Sequence, residues 1–441
     1  MGLDGVPFTL LGELIEQGRL PSLRRILADG GLRLRQMDAS IPDVSSTSWT
    51  SFMTGVNPGE HGIYGFMSLK PGGYELSFPN FNDVKAPTIW EILGDSRDSR
   101  ASSLKERFSG RIGGRFRSIV LNVPQTYPAA PLNGVLTAGF VCLDLKKGTY
   151  PDSACDYLES IGFVSDVDAN KAVSDKEGFF SDLERALEKR AEAYRHFMVN
   201  DQWDLFIGVI TETDRLHHFF YDAARDPEHP DNAFFVDFYR KIDSLIGQLY
   251  DLFLEKTDGE GMFMTMSDHG FTTIRQEVYL NAWLEKEGFL RLNRERKYFE
   301  QIDTGTRAFA MDPGRIYIHL EGKYPRGGVK EFEKERIMQE LKEKLAGLKS
   351  PGGEPVIAEI HENGDIYKGA FSGDGPDLVC VGADGFDLKG VMGKSEPFGK
   401  SHFRGMHTAH DAHCVLPAGL ADDGRLGIED LAGYILNRYT G

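Results

Sequence analysis

DLFIGVITETDRLHHF, residues 204–219, and GMFMTMSDHG, residues 261–270, decide the fold. Each is an apolar run of strand length that ends abruptly in acidic and imidazole side chains. Between them, AFFVDFYRKIDSLIGQLYDLFLEK (233–256) has the apolar spacing of a long helix. Strand, long helix, strand is the pattern of a parallel sheet with crossover helices. The chain therefore reads as α/β, with a mostly parallel central sheet and helices on both faces. In such sheets ligands bind beyond the carboxyl ends of the strands. Asp214, Asp268 and His269 fall at that edge. Asp4, in GLDG (2–5), belongs there too, although only three residues precede it. The strand it closes is expected to be short or to lack its start.

Working outward, residues 9–30 read as a helix that Pro21 splits in two. SIVLNV (118–123) is a buried strand, 178–199 a charged, amphipathic surface helix, and 49–54 the start of a helix after a hydroxyl-rich turn, PDVSSTSWTSFMTG (42–55). Residues 272–400 interrupt the strand–helix pattern with a Lys/Glu-rich helix (328–346) and strand-like runs at 315–320 and 377–382. The predicted organisation is a core of 1–271 and 401–441, with 272–400 as an inserted cap and an irregular insertion at about 85–175. The basic Arg/Gly stretch at 105–117 is most simply solvated; a substrate-phosphate contact is the sharper reading.

The chain has 441 residues, 41% of them hydrophobic, which suffices for a large core. A net charge of −17 argues against a nucleic-acid scaffold or a binder of anionic membranes. It does not exclude a phosphodiester substrate, because two divalent cations reverse the local field. Cys142, Cys155, Cys380 and Cys414 lack metal-site spacing. They read as free thiols and favour a reducing, cytoplasmic location. No run is long enough for a membrane helix, and no signal peptide is evident.

Asp and His supply the hard oxygen and borderline nitrogen donors of a hydrolytic metal site, and zinc suits the mixture. Asp214 and His218 stand four apart, which puts both on one side of a helical turn. His217 has the wrong offset and is expected to be structural. Asp268 and His269 follow a strand directly, with Gly270 permitting a tight turn. GMHTAHDAH (405–413) offers His407, with His410 as runner-up and His402 behind it. The hydroxyl turn supplies a nucleophile from among Ser45, Ser46, Thr47 and Ser48, close to the exposed N–H groups of a helix start.

Taken together these motifs resemble the type I phosphodiesterase/nucleotide pyrophosphatase branch of the alkaline phosphatase superfamily. The resemblance runs through LDG, TG-x-x-P-x-x-HGI, NVPQTYP, TETD-x-x-x-H, SDHG, GRIYIHLEGKYPRGGV, PDL and GMHT. It implies an alkaline-phosphatase-like fold and two divalent ions, zinc foremost, with manganese or iron as alternatives. One ion would take Asp214, His218 and His407; the other would take Asp4, Asp268 and His269. Ser45, nine residues before the TG pair, corresponds to the nucleophile, where many relatives have Thr. The implied reaction is double displacement on a small phosphate ester through a phosphoseryl adduct, with no nucleic-acid polymer as partner. Two features depart from the family. HGIYGF lacks the Asn that nucleotide pyrophosphatases place after HGI, and no counterpart exists for the Arg with which alkaline phosphatases grip a dianion. Phosphomonoesterase, phosphonate hydrolase and phosphomutase are alternatives on the same core. A sulfatase is disfavoured because no C-x-P-x-R signal is present. A binding relative that has lost catalysis is the non-enzyme reading.

Overall fold

The computed structural model describes residues 1–94, 100–112, 115–420 and 424–440. Its centre is an eight-stranded sheet. In spatial order the strands are Leu32–Met37, Ala412–Pro417, Thr265–Met266, Gly2–Leu3, Leu205–Ile210, Ser118–Val123, Gly134–Ala138 and Thr149–Tyr150. Strands Thr265–Met266 through Gly134–Ala138 pair in parallel, and antiparallel pairs close both sides.

Ser118–Val123 shows why the sheet is covered on both faces. Ile119 and Leu121 pack with Leu10, Phe179 and Phe238, whereas Val120 joins Trp49, Trp90 and Leu431 on the other side. Alternation at period two sends successive side chains to opposite faces, so a strand that is apolar throughout needs a helical layer on each. The helices Phe8–Glu16, Pro21–Asp29, Lys176–Asn200 and Asn232–Lys256 supply one layer. Ser45–Thr54 and Asp430–Asn437 belong to the other.

The shortest strand lies at the middle. Gly2 pairs with Val209 on one side and Met266 on the other, and Leu3 pairs with Ile210. Gly2 has no room for a side chain, because a Cβ there would come within 2.4 Å of the Trp49 ring. That close approach lets Trp49 reach Asp4 at the strand's end.

Within 272–400 lies a third hydrophobic cluster that includes Val278, Leu284, Phe309, Ile316, Leu341 and Leu378. It fills the space between helix Lys334–Ala346 and a four-stranded antiparallel sheet, Ala308–Met311, Arg315–Ile318, Leu378–Gly382 and Ile357–Glu362. A two-stranded ribbon, Gly270–Thr273 with Gly405–Thr408, joins the segments that flank this region. Its register sets Phe271 opposite His407, which returns the late histidine to the edge where Asp268 and His269 emerge.

Several local expectations shift. The helix in the hydroxyl segment starts at Ser45, four residues earlier than the sequence predicts. Val44 is extended there, and its carbonyl already accepts from Thr47 and Ser48, so the hydroxyl residues build the first turn. Of the run 261–266 only Thr265–Met266 is strand, because its antiparallel partner reaches it only at Val415 and Cys414. The Lys/Glu-rich helix begins at Lys334, after a short 3-10 turn. In the basic stretch, the exposed Arg107 and Arg111 lie over the buried Phe108 ring, and residues 113 and 114 lie outside the described residues. Among the described residues no helix is long and apolar enough to cross a membrane.

The helix Lys176–Asn200 carries more than a surface face. Arg190 is fully buried, with its Nε 2.6 Å from Glu212 Oε1 and its guanidinium also on the Ser165 carbonyl and the Thr211 hydroxyl. This pair braces the turn that leads into Asp214. Removing one partner strands a buried charge. Arg190→Met is therefore expected to lower stability by about 3–5 kcal/mol in urea denaturation. Replacing both partners with apolar residues is expected to cost less than the single change.

Candidate functional site

The carboxyl edge of the sheet gathers Asp4, Ser45, Asp214, His218, Asp268, His269 and His407. Asp4 leaves the central strand, and its N–H is tied to the Ile210 carbonyl, the end of the neighbouring strand. Asp214 and His218 sit one turn apart on the helix Glu212–Phe220, which starts right after that strand. Asp268 and His269 link Thr265–Met266 to the ribbon, and the ribbon delivers His407.

Two groups form. His218 Nε2 and His407 Nε2 are 3.4 and 3.3 Å from Asp214 Oδ1 and 3.1 Å from each other. Donors of a tetrahedral zinc ion, with bonds of about 2.0–2.1 Å, lie roughly 3.3–3.4 Å apart. This triad has that spacing. In the second group, His269 Nε2 is 3.2 Å from Asp268 Oδ2 and 3.9 Å from Asp4 Oδ1. The groups adjoin: the His269 and His407 rings stack with centroids 3.6 Å apart. Ligand atoms of Asp4, Asp268 and His269 fall within 4.8 Å of one another, as do those of Asp214, His269 and His407.

Neighbouring groups aim these donors. His407 Nδ1 faces the Asp43 carbonyl at 2.9 Å, and His269 Nδ1 faces the Gly270 carbonyl at 3.0 Å. A proton held on Nδ1 by a carbonyl leaves the Nε2 lone pair free for a cation. Asp4 Oδ2 accepts from Trp49 Nε1 at 3.0 Å, and Asp268 Oδ1 accepts from the Gly5 N–H at 2.9 Å. The opposite oxygens behave differently. Asp268 Oδ2 and Asp214 Oδ1 are buried and accept no hydrogen bond.

The electrostatics show what is lacking. Burial, reinforced by Asp268 and Asp214, raises the Asp4 carboxyl well above its usual range. Burial and Asp214 push Asp268 up to about 7. Asp214 goes the other way despite burial, because His218 and His407 favour its anion. Burial and the facing His407 depress His269. Burial lowers His218 and His269, whereas, despite burial, Asp214 raises His407; three buried carboxylates among these imidazoles are a donor set suited to a pair of divalent cations. The residues present therefore fit such cations.

Ser45 is the hydroxyl that meets this cluster. Its Oγ is 3.1 Å from His269 Nε2 and 3.4 Å from Asp4 Oδ1. Ser46, Thr47 and Ser48 are fully buried, and their hydroxyls touch no polar partner. The amides of Ser45 and Ser46 donate to no acceptor among the described residues, so the positive end of a ten-residue helix opens beside the Ser45 side chain.

The remaining histidines separate cleanly. His217 is buried between the Gly5 carbonyl (2.9 Å) and the Tyr239 hydroxyl (2.8 Å), the structural role its offset implies. His410 turns to Asp38 and Glu359, at 2.8 and 2.9 Å. His402 is exposed and takes no part. Sequence reasoning missed Arg215. It grips Asp166 with two hydrogen bonds (2.8 and 3.1 Å), lies 4.2 Å over the Phe140 ring, and approaches Asp214 Oδ2 at 3.5 Å. Its place beside Asp214 in TETDR was visible, but Asp166 and Phe140 are distant in the chain.

The geometry agrees with comparison to known proteins. The sequence profile of type I phosphodiesterase / nucleotide pyrophosphatase matches residues 1–410. The chain matches no curated protein. Among solved structures it is similar to phosphonoacetate hydrolase from Sinorhizobium meliloti 1021 bound to phosphonoformate, with TM-score 0.60 and 15% identity over 99% of this chain and 94% of that one. It is also similar to an inactive murine ectonucleotide pyrophosphatase / phosphodiesterase 5 in complex with AMP, with TM-score 0.54 and 14% identity over 99% and 94%. A variant of the alkaline phosphatase PafA follows at 0.50 and 13%, over 99% and 95%. At these identities the likeness is one of fold, and the fold is alkaline-phosphatase-like. The motifs, the sheet and the profile together give the assignment: the chain belongs to the type I phosphodiesterase / nucleotide pyrophosphatase family.

Proposed function

We propose that this protein is a metal-dependent phosphodiesterase or pyrophosphatase that works through a phosphoseryl intermediate at Ser45. The observation that carries this reading is the contact of Ser45 Oγ with His269 and Asp4, inside the buried acid and imidazole cluster. Asp214, His218 and His407 would hold one divalent cation and Asp4, Asp268 and His269 the other, with zinc best suited and manganese or iron as alternatives. When bound, the pair supplies Lewis-acid charge that makes a serine hydroxyl or a water nucleophilic near neutral pH and offsets charge on the phosphate.

The chain's own groups do the rest. Ser45 Oγ gives up its proton to solvent and attacks phosphorus; the bond from phosphorus to the leaving oxygen breaks, and the departing alkoxide or phosphate takes a proton from solvent. The free amides of Ser45 and Ser46 face the non-bridging oxygens and stabilise the charge that builds there. Water then attacks the phosphoseryl phosphorus and restores the hydroxyl. His407 and His269, pinned through Nδ1, and Asp4, pinned by Trp49, keep their positions throughout.

A diester is favoured over a monoester because a dianionic phosphate needs a further cation. Arg215, the guanidinium beside the cluster, is already committed to Asp166 and Asp214. Hydrolysis of bis-p-nitrophenyl phosphate faster than p-nitrophenyl phosphate supports the diesterase reading. The reverse order favours a phosphomonoesterase, and an inert protein with bound metal favours a binding relative. HGIYGF, without the family's Asn, speaks against narrow nucleotide specificity.

Ser45→Ala is expected to lower diester turnover by about a thousandfold or more while metal content stays near wild type. Retained activity moves the role to a neighbouring hydroxyl. Asp268→Asn and His269→Ala are expected to lose metal and activity together, read by elemental analysis beside the assay; full activity after thorough chelation contradicts the metal requirement. Because burial pushes Asp268 up to about 7, protons compete with a cation for it. Calorimetric metal titration of the metal-free protein is expected to show affinity falling as pH drops below about 7 and levelling above it.

A further inference from the structure

Three histidines meet the buried carboxylates, and they are not mounted alike. His407 and His269 each set Nδ1 against a carbonyl, of Asp43 and Gly270. His218 has no such partner: its Nδ1 is buried and touches no polar group among the described residues. A hydrogen bond at Nδ1 fixes both the ring orientation and the tautomer that leaves Nε2 free. Nothing polar does either for His218. The terminal torsion of a histidine is broad, so a ring without constraint turns readily. The His218 Nε2 nevertheless stands 3.4 Å from Asp214 Oδ1 and 3.1 Å from His407 Nε2.

What borders this ring is aromatic. Phe271 meets it edge to face, with centroids 5.0 Å apart and planes at 78°. Phe403 lies at 5.3 Å and 53°. The two phenyl groups come from opposite ends of the excursion 272–400: Phe271 from the first strand of the ribbon, Phe403 from the loop that enters the second. Phe271 is buried, and its ring also meets His407 at 5.0 Å and 65°. Gly5 and Gly405 make way for it, because a Cβ on them would come within 2.7 and 2.9 Å of the ring. Phe403 is 36% exposed, yet its loop is anchored to the same helix. The Arg404 N–H donates to the His218 carbonyl at 2.7 Å, and the Phe219 ring backs Phe403 at 5.2 Å. Turning the imidazole carries Nε2 away from Asp214, and close-packed ring edges oppose that turn.

We propose that Phe271 and Phe403 are positioning residues for His218, an aromatic clamp that aims Nε2 at Asp214 and His407 in place of the Nδ1 hydrogen bond of the other two histidines. The inference rests on the metal-dependent reading of the site. Its consequence is a difference between the two proposed cation positions. Only the Asp214 group contains His218. Phe271 lies farther from His269, at 5.7 Å, and that histidine is tied independently by Gly270. Loss of the clamp therefore weakens the Asp214 group and spares the Asp4–Asp268–His269 group.

The test is calorimetric titration of the metal-free protein with zinc. His218→Ala and Asp268→Asn assign the two binding steps by the step each removes. Phe403→Ala, on an exposed loop, and Phe271→Leu, which keeps apolar bulk, are each expected to weaken the Asp214 step by about tenfold or more and to leave the other within about twofold. Phe403→Tyr, which keeps a ring, is expected to bind like the wild type. Cobalt(II) gives a reading that stability alone does not move: the visible absorption of the Asp214 group is expected to change in Phe403→Ala and Phe271→Leu and not in Phe403→Tyr. Urea unfolding of the metal-free forms separates lost stability from lost aim, and if Phe271→Leu does not fold, Phe403→Ala decides. Unchanged affinity at the Asp214 step, equal weakening of both steps, or Phe403→Tyr behaving like Phe403→Ala overturns the clamp. If the wild type binds two zinc ions and any of these results appears, only the clamp fails; if the wild type binds none, the metal-dependent reading fails and takes the clamp with it.

Discussion

The structure turns on one electrostatic constraint: three carboxylates, Asp4, Asp214 and Asp268, share a buried edge of the sheet with imidazoles and the Arg215 guanidinium, which Asp166 already holds. Such a grouping opposes folding unless opposite charge arrives. The surroundings are arranged to tolerate it. Trp49 and the Gly5 amide each neutralise one oxygen, and Arg215 leans on another. The oxygens left over point inward, where a cation would meet them. The sheet's geometry and the hydrogen-bonding partners around it serve this one convergence.

Rigidity follows from how each of these side chains is mounted. Asp4 depends on a strand of two residues, yet that strand is paired on both sides, and Gly2 admits Trp49 against it. Asp214 starts a helix whose entry is braced by the buried Arg190–Glu212 pair. His407 comes from a ribbon that spans the long excursion of 272–400 and is pinned by Asp43.

Much of this was legible in the chain. The strand–helix–strand runs around Asp214 and Asp268 carry period and length signals that local physics dictates, so α/β class and the edge bearing the acids follow from them. The choice of Ser45 came from spacing within a family pattern, and its contact with His269 is geometric. Other features were hidden. The helix start at Ser45 looked like a turn because a hydroxyl-rich segment favours both. Arg190 fell within a helix read as a surface helix and Arg215 drew no reading, because burial of a charge depends on a partner that sequence does not place nearby.

The sequence by itself determined which side chains are able to bind a cation and which strands end in them, because hydrophobic periodicity and residue chemistry are local. Only the tertiary structure decided that His407 rather than His410 joins Asp214 and that Ser45 rather than Thr47 meets the cluster. Those outcomes depend on the register of the ribbon and on the packing of helix against sheet. Pairing of that kind joins residues hundreds of positions apart, and no local pattern encodes it.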